Sequence, residues 1–351
     1  MWSQLKILSH KDIVKGILDN KLLYPVHVQL EVTESCNYKC IFCPWHGKNK
    51  DKFKNIDLNG RRHFKWDRLS NLIDELVCLG VKAISLTGAG ECLLYPHFPE
   101  LIDKLVSSDI DFAITTNLSL PLKDTVIKNM LKAKWVRWSL NAGDNDTYIK
   151  VNRPNNRDSM SICIDNIKRM VALRNNGSAH IGVSYVIHPI NIESVFKALD
   201  LCCELSVDSI SFRPAITMKR SHKVNLYNKK ITDILIKAEK EYSESIKVFT
   251  NLNRLQETYK VSDRNLRCYY SNYSIHIISS GAVYPCCMTR YDRRYEIANL
   301  SNISFIDLWS SDKRKNNYKK IVVSDCPPCR HTIVNEALNF MINTQQPDNF
   351  I

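Results

Sequence analysis

Cys36-Asn-Tyr-Lys-Cys40-Ile-Phe-Cys43 is the stretch on which the reading of this chain turns. Three cysteines at x3 then x2 spacing follow a short apolar run, Val26–Val32, that reads as a strand. Thiolates are soft ligands that suit zinc or iron–sulfur assemblies. Three of them from one tight loop hold three corners of such an assembly and leave one open. Two completions stand. His46 closes the set as C-x3-C-x2-C-x2-H, a structural zinc site. Alternatively, the fourth corner takes a ligand that is not protein. Thr87-Gly88-Ala89-Gly90-Glu91, directly after the second predicted strand, favours the second completion. Its glycines let backbone approach a ligand closely, and Glu91 offers a carboxylate to a cationic group.

Outward from this loop, short apolar runs alternate with helical periodicity. The strands read as Val26–Val32, Lys82–Thr87, Asp111–Thr115, Lys134–Leu140, His180–Ile187 and Ser209–Phe212. Helices read near Trp66–Leu79, Phe98–Val106, Lys123–Leu131, Asp158–Arg174, Ile192–Leu205 and Ile231–Tyr242. Six strand–helix repeats imply parallel strands with right-handed crossovers. The expected fold is therefore α/β: a partial (β/α)6 barrel with its chemistry on the loops at the C-terminal strand ends. The expected division is an N-terminal helical extension (1–25), the barrel (26–245) and a small C-terminal α+β module (246–351). In that module Ser274–Ser279 and Ala282–Pro285 read as a hairpin around Ser280-Gly281. A helix near Phe305–Arg314, then Cys326-Pro-Pro-Cys329, then a helix over His331–Met341 follow.

At 351 residues, with 44% apolar and 24% charged residues, the composition is that of a soluble globular protein. No run reaches about 18 apolar residues, so no membrane span is expected. Met1–Leu23 lacks the continuous apolar core of a signal peptide, and a cytoplasmic location is expected. Thirteen cysteines in such a chain point to metal or redox chemistry rather than to disulfides. Cys78, Cys92, Cys163, Cys202 and Cys203 fall mostly in apolar helical patterns and read as small hydrophobes. The net charge of +13 attracts anions, but its basic runs (Lys48–Lys54, Arg61–His63, Lys313–Lys320) are not interleaved with aromatics. Nucleic acid is not the expected partner. The long loop Trp45–Lys65 reads as a lid or as a plain surface loop.

Cys-x3-Cys-x2-Cys after a first barrel strand, with a Gly-rich, Glu-ended loop after the second, resembles the radical S-adenosylmethionine (SAM) enzymes. The resemblance covers roughly residues 26–215. It implies that Cys36, Cys40 and Cys43 hold a [4Fe–4S] cluster whose open iron binds SAM. Phe42 matches the aromatic position beside adenine, with ordinary loop packing as its plain reading. Gly88, Ala89, Gly90 and Glu91 match the loop that receives the methionyl amino group, with Ala89 in place of the usual second glycine. Ser139 and Asn141 resemble the family's ribose or carboxylate contacts. Asn117 is a candidate for the pocket wall. Arg153 resembles an arginine that pairs with the SAM carboxylate, its fork of donors suiting that group; the plain reading is a surface salt bridge.

Cys268, Cys286, Cys326 and Cys329 make a full set for a closed site, zinc or iron–sulfur. With Gly281 ahead of Cys286, they resemble a twitch/SPASM-like module carrying one auxiliary [4Fe–4S] cluster. Cys287 is left over: a packing residue, a substitute ligand or a hydrogen donor to a substrate radical.

The resemblance implies hydrogen abstraction from a polar small molecule, a sugar, aminocyclitol or nucleotide-linked sugar, for dehydrogenation or epimerisation. It also implies a reducing partner such as flavodoxin or ferredoxin. Two other readings stand beside it. One is a peptide-modifying maturase, against which only about 25 residues precede the first strand. The other is a zinc-stabilised nucleic-acid-binding protein.

Overall fold

A computed structural model of the chain describes residues 4–19, 21, 23–46, 62–215, 229–250, 252, 267–319, 321, 326, 329 and 331–343. The basic run Lys48–Lys54 and the Pro-Pro pair between Cys326 and Cys329 lie outside the described residues. After helix α1 (Lys11–Leu18), seven strands run in parallel and in chain order. They are β1 (His27–Leu30), β2 (Ala83–Leu86), β3 (Asp111–Thr116), β4 (Trp135–Ser139), β5 (His180–Ile187), β6 (Ser209–Pro214) and β7 (Lys247–Phe249). Helices α2 (Trp66–Cys78), α3 (Phe98–Ser107), α4 (Asp124–Met130), α5 (Asn145–Asn152), α6 (Ser159–Leu173), α7 (Val195–Glu204) and α8 (Lys229–Tyr242) lie on the connections. α2 shows why such a segment is a helix: Leu69, Leu72, Ile73 and Leu76 repeat at three- and four-residue steps and are all buried.

The α/β fold class expected from the sequence is the one observed. Two features extend it. β7 adds a seventh parallel strand on β6, past residue 245. At the other edge, β8 (Ser274–Ile277) pairs in parallel with β1, and the antiparallel β9 (Ala282–Tyr284) and β10 (Ala298–Asn299) continue the same sheet. The C-terminal module and the barrel therefore share one ten-stranded sheet. Gly281, at φ +82°, turns the hairpin between β8 and β9. The single helix expected over Phe305–Arg314 is two, α9 (Phe305–Ser310) and α10 (Asp312–Lys319), broken at Ser311. α11 (Thr332–Asn343) closes the described chain.

Alternation divides each strand. Val28, Leu30, Ile84, Leu86, Ile275 and Ile277 are fully buried in the apolar core. Their alternates are polar. His27 Nδ1 meets Ser274 Oγ at 3.0 Å and its Nε2 meets Ser85 Oγ at 2.8 Å, so one imidazole ties β1 to both of its neighbours.

Burial lowers the His27 pKa from 6.5 to about 4, so the folded chain takes up this proton less readily than the unfolded one. Its share of stability is complete above pH 6.5 and declines as pH falls towards about 4. The full swing is on the order of 3 kcal/mol. His27→Gln should therefore flatten the loss of melting temperature between neutral and mildly acidic pH, read by thermal denaturation at both.

Candidate iron–sulfur and SAM site

The cysteine loop hangs from the end of β1 and is fastened on three sides. The C-terminal end of α5 accepts from it: Ile41 N–H donates to the Val151 carbonyl (2.9 Å) and Lys39 N–H to the Arg153 carbonyl (3.1 Å). Cys40 Sγ lies 3.7 Å from Asn152 Oδ1. Tyr38 Oη meets Tyr148 Oη at 2.7 Å inside the core. Asn37 accepts from Asn117 Nδ2 (2.9 Å) and donates to Ser119 Oγ (2.8 Å), fixing the loop to the end of β3. Cys43 Sγ accepts the Trp45 and His46 backbone N–H groups, both at 3.4 Å. Burial pushes the Cys36 thiol up to about 12 and the Cys40 thiol well up, and neighbouring thiolates add to both shifts. Thiolates gathered in such a place need a soft cation among them.

The Gly88–Glu91 loop lies against this loop at van der Waals limit. A Cβ on Gly90 would stand 2.3 Å from the Thr33 carbonyl oxygen and 2.6 Å from that of Ser35. Glu91 N–H donates to the Ser35 carbonyl (2.8 Å), one residue before Cys36. A Cβ on Gly88 would strike the Glu31 side chain at 2.2 Å. Ala89, by contrast, has no positive φ, and its methyl packs in an apolar cluster with Trp45, Ile278 and Tyr291. That accounts for a side chain where the resembling family has glycine.

Glu91 is buried, and burial raises its pKa. Its Oε1 accepts from Leu93 N–H (3.2 Å), Thr116 Oγ1 (2.5 Å) and Cys92 Sγ (3.6 Å). Oε2 accepts from Asn117 N–H (2.6 Å). A carboxylate oxygen offers two lone pairs, so Oε2 retains room for an ammonium donor.

A second buried carboxylate, missed from sequence, holds the loop from below. Glu31, one residue before the end of the apolar run, accepts Ala89 N–H (2.5 Å) and the Tyr291 hydroxyl. Burial pushes it up to about 7, against the pull of Arg290, Tyr291 and Ala89. Arg290 lies 4.7 Å over the Trp45 ring and donates to the Gly88 carbonyl (3.4 Å). Residues from beyond β9 thus clamp both the loop after Cys43 and the Gly88–Ala89 backbone.

The remaining candidates separate. Asn117 belongs to the site as a brace between Glu91 and Asn37. Asn141, at φ +61°, commits its amide to Val186 N–H (2.8 Å) and Asn152 Oδ1 (2.8 Å), so it positions backbone. Ser139 stands half-buried with no hydrogen bond from its hydroxyl among the described residues. Phe42 is half-buried against the core. Arg153 caps α5 in the left-handed region at φ +47°, with its side chain exposed and its carbonyl on Lys39.

Cys268, Cys286, Cys326 and Cys329 line one cavity, with Tyr270 and His331 stacked at 3.4 Å on its wall. Cys329 Sγ accepts His331 N–H (3.3 Å), and burial raises the Cys268 thiol to about 11. Asn335 on α11 accepts both Tyr269 and Tyr270 N–H (2.9 Å each), and Tyr318 Oη donates to the Cys268 carbonyl (2.9 Å). Cys287 belongs to this end of the chain, close enough to Cys286, Cys329 and Tyr270 to help raise their pKa values.

Comparison with known proteins agrees with this geometry. Residues 30–202 match the radical SAM superfamily and residues 268–331 match the SPASM iron–sulfur cluster-binding domain. The chain belongs to the radical SAM superfamily. Its cofactors are a SAM-binding [4Fe–4S] cluster, SAM and an auxiliary iron–sulfur cluster. Among similar curated proteins is a GTP 3',8-cyclase of Xanthomonas campestris pv. campestris, 30% identical over 117 residues, 33% of each chain. A probable GTP 3',8-cyclase of Saccharolobus solfataricus is 26% identical over 189 residues, 52% of this chain and 54% of that one. The matched region is thus about a third to a half of these relatives' length. Among solved structures, Streptococcus suis SuiB bound to S-adenosylmethionine aligns with TM-score 0.64 at 17% identity, covering 89% of this chain and 72% of that one. anSMEcpe with bound AdoMet aligns with TM-score 0.59 at 14% identity, covering 91% and 97%.

The residues fit the cofactors. Both donor sets are all-sulfur. Among the described residues no three Cys, His, Asp or Glu side chains close on one ion-sized point. All-sulfur donor sets are those that hold iron–sulfur clusters. Tyr291→Phe removes the hydroxyl that holds Glu31 in place against Ala89 N–H. SAM affinity, measured by equilibrium binding to the reconstituted chain, should fall about tenfold while iron content holds. Gly90→Ala should lower both, because its methyl forces the two loops apart.

Proposed function

We propose that this radical SAM enzyme takes hydrogen from a carbon of a polar, hydroxyl-bearing small molecule, for dehydrogenation or epimerisation. The observation that carries this reading is the character of the barrel's inner strand face. His27 and Ser85 bond across it, His180 and Ser209 bond across it at 2.8 Å, and Arg137 and Arg213 line its cavity. A face of hydroxyls, imidazoles and guanidiniums recognises a polar ligand by directed hydrogen bonds. The curated relatives, named for GTP, support a small-molecule substrate.

Cys36, Cys40 and Cys43 would hold the first cluster, and Gly88, Ala89, Gly90 and Glu91 would cradle the methionyl end of SAM. When bound, the cluster and SAM supply a 5′-deoxyadenosyl radical. The chain's own residues do the rest. Glu91 Oε2 would receive the ammonium. Glu31, Tyr291 and Arg290 hold the Gly88–Ala89 backbone at its close approach. Phe42 and Ser139 would flank the adenosyl end. Cys268, Cys286, Cys326 and Cys329 would hold the auxiliary cluster. Cys287 remains the hydrogen donor that an epimerisation, but not a dehydrogenation, calls for.

Anaerobic reconstitution should load about eight irons per chain. Incubation with SAM and dithionite should release 5′-deoxyadenosine, and Cys40→Ala should abolish it. A fully loaded chain that releases none, with polar sugars or nucleotide sugars present, overturns the reading. Incorporation of solvent deuterium at product carbon distinguishes epimerisation from a two-hydrogen mass loss.

A further inference from the structure

We propose that a cleft between α1, the segment before β8 and α10 binds a phosphorylated small molecule, at a place separate from the SAM cradle. This goes beyond the substrate reading above and does not depend on it. The basic run Lys313–Lys320 supplies its centre, because α10 turns Arg314 inward. Arg314 is only 4% exposed. Its guanidinium lies 4.0 Å from the Trp309 ring centroid and 5.0 Å from that of Tyr318. Arg267 approaches the same Tyr318 ring at 5.6 Å and the Tyr269 ring at 5.4 Å.

The charge of these two arginines is unmatched. Nε and Nη2 of Arg314 and Nε of Arg267 are buried with no hydrogen-bond partner. Among the described residues no carboxylate pairs with either side chain. Burial lowers the Arg314 pKa to about 10, which leaves it charged at neutral pH. A buried cation is costly without an opposite charge, and ring faces offset only part of that cost. The two lysines nearby do not share this need. Lys21 pairs with Asp19 and Lys315 with Asp312, both at 3.2 Å.

Beside the arginines lies a cavity of about 500 Å³, inside the range of about 300–1,000 Å³ usual for small-molecule sites. Arg267, Arg314, Tyr269 and Tyr318 line it together with Ile17 and Leu18 of α1. Guanidinium forks suit oxyanions, and a phosphate with three oxygens to share suits two forks better than a carboxylate with two. The apolar and aromatic lining suits an organic body attached to that phosphate. Topology separates the cavity from the cradle. Ile17 precedes β1, Tyr269 precedes β8, and these strands run in parallel. The cavity therefore sits where the strands begin, whereas the cysteine and Gly88 loops leave from where they end. Tyr318, against which both arginines lie, donates its hydroxyl to the Cys268 carbonyl at 2.9 Å. A ligand here is thus one ring away from the auxiliary cysteine set.

Calorimetric titration of the anaerobically reconstituted full chain with inorganic phosphate, and then with phenyl phosphate, tests this without turnover. Both should bind saturably, phenyl phosphate more tightly because its ring meets the apolar lining. Arg267→Gln and Arg314→Met should each weaken phenyl phosphate binding about tenfold while iron content and SAM affinity hold. Those two measurements report a folded chain, and if Arg314→Met loses them, Arg267→Gln carries the test. On the unsubstituted chain, phenyl phosphate should also shield Arg267 from phenylglyoxal, read by peptide mass spectrometry. Benzoate, its carboxylate counterpart, should bind more weakly; equal binding overturns the assignment to phosphate. No saturable binding by the unsubstituted chain, binding that the folded variants leave intact, or an Arg267 that phenyl phosphate fails to shield overturns the site itself.

Discussion

Everything in this fold leans on the position of β1. The two cysteine sets stand at opposite ends of the sequence, and β1 is paired between a strand of each half. β2 pairs with one edge and β8 with the other, both in parallel and in matched register from His27 to Leu30. The chain leaving the top of β1 becomes the Cys36–Cys43 loop, and the chain leaving the top of β2 becomes the Gly88–Glu91 loop. The chain leaving β8 turns through β9 and returns as Arg290 and Tyr291. Parallel neighbours end on the same side of a sheet, so these three segments converge by topology alone. A hairpin module appended to a finished barrel would not achieve this, because only a parallel β8 puts its exit beside that of β1.

Convergence at the strand ends explains two buried carboxylates that would otherwise weigh on the fold. A buried acid is costly unless hydrogen bonds and opposite charge offset its desolvation. Glu91 meets four donors, and Glu31 meets Ala89 N–H and the Tyr291 hydroxyl with Arg290 nearby. Neither acid is paired directly with a guanidinium in these contacts. Each instead binds backbone N–H groups of loops that carry the chemistry, so the cost of burial is tied to the placement of those loops. Glycine at 88 and 90 follows from the same crowding: Glu31 occupies one Cβ position, and the Thr33–Ser35 backbone occupies the other.

The sequence was most informative where a local pattern meets a local constraint. The parallel strands alternate with amphipathic helices, and β5 was legible to the residue because seven apolar or small residues, Ile181–Ile187, run between His180 and His188. The cysteine spacing and the glycines were legible because metal ligands and close backbone approach restrict residue type. What the pattern does not carry is long-range. β7 is three residues with one buried side chain, too short to alternate. The β1–β8 pair joins residues about 247 positions apart, and nothing local in Ser274–Ile277 names its neighbour. Asn37, Glu31, Asn152 and Tyr291 escaped notice for the same reason. Each acts through a partner elsewhere in the chain, and a lone Asn or Tyr in a loop bears no mark of that. Asn141 and Arg153 looked like ligand contacts because they sit at the right strand and helix ends. Both also have left-handed backbone, which makes them corners that aim the segments around them.

The same register logic links the two ends of the barrel. In a sheet closed into a partial barrel, side chains on one face stand in layers set by strand pairing. At the top, the layer near Glu31 and Ala89 is narrow and held by short contacts. Lower down, the layer from Arg137 to Lys247 is interrupted by Gly182 and stays open. A ligand entering such a barrel meets a rigid upper rim and a roomier, cationic lower half.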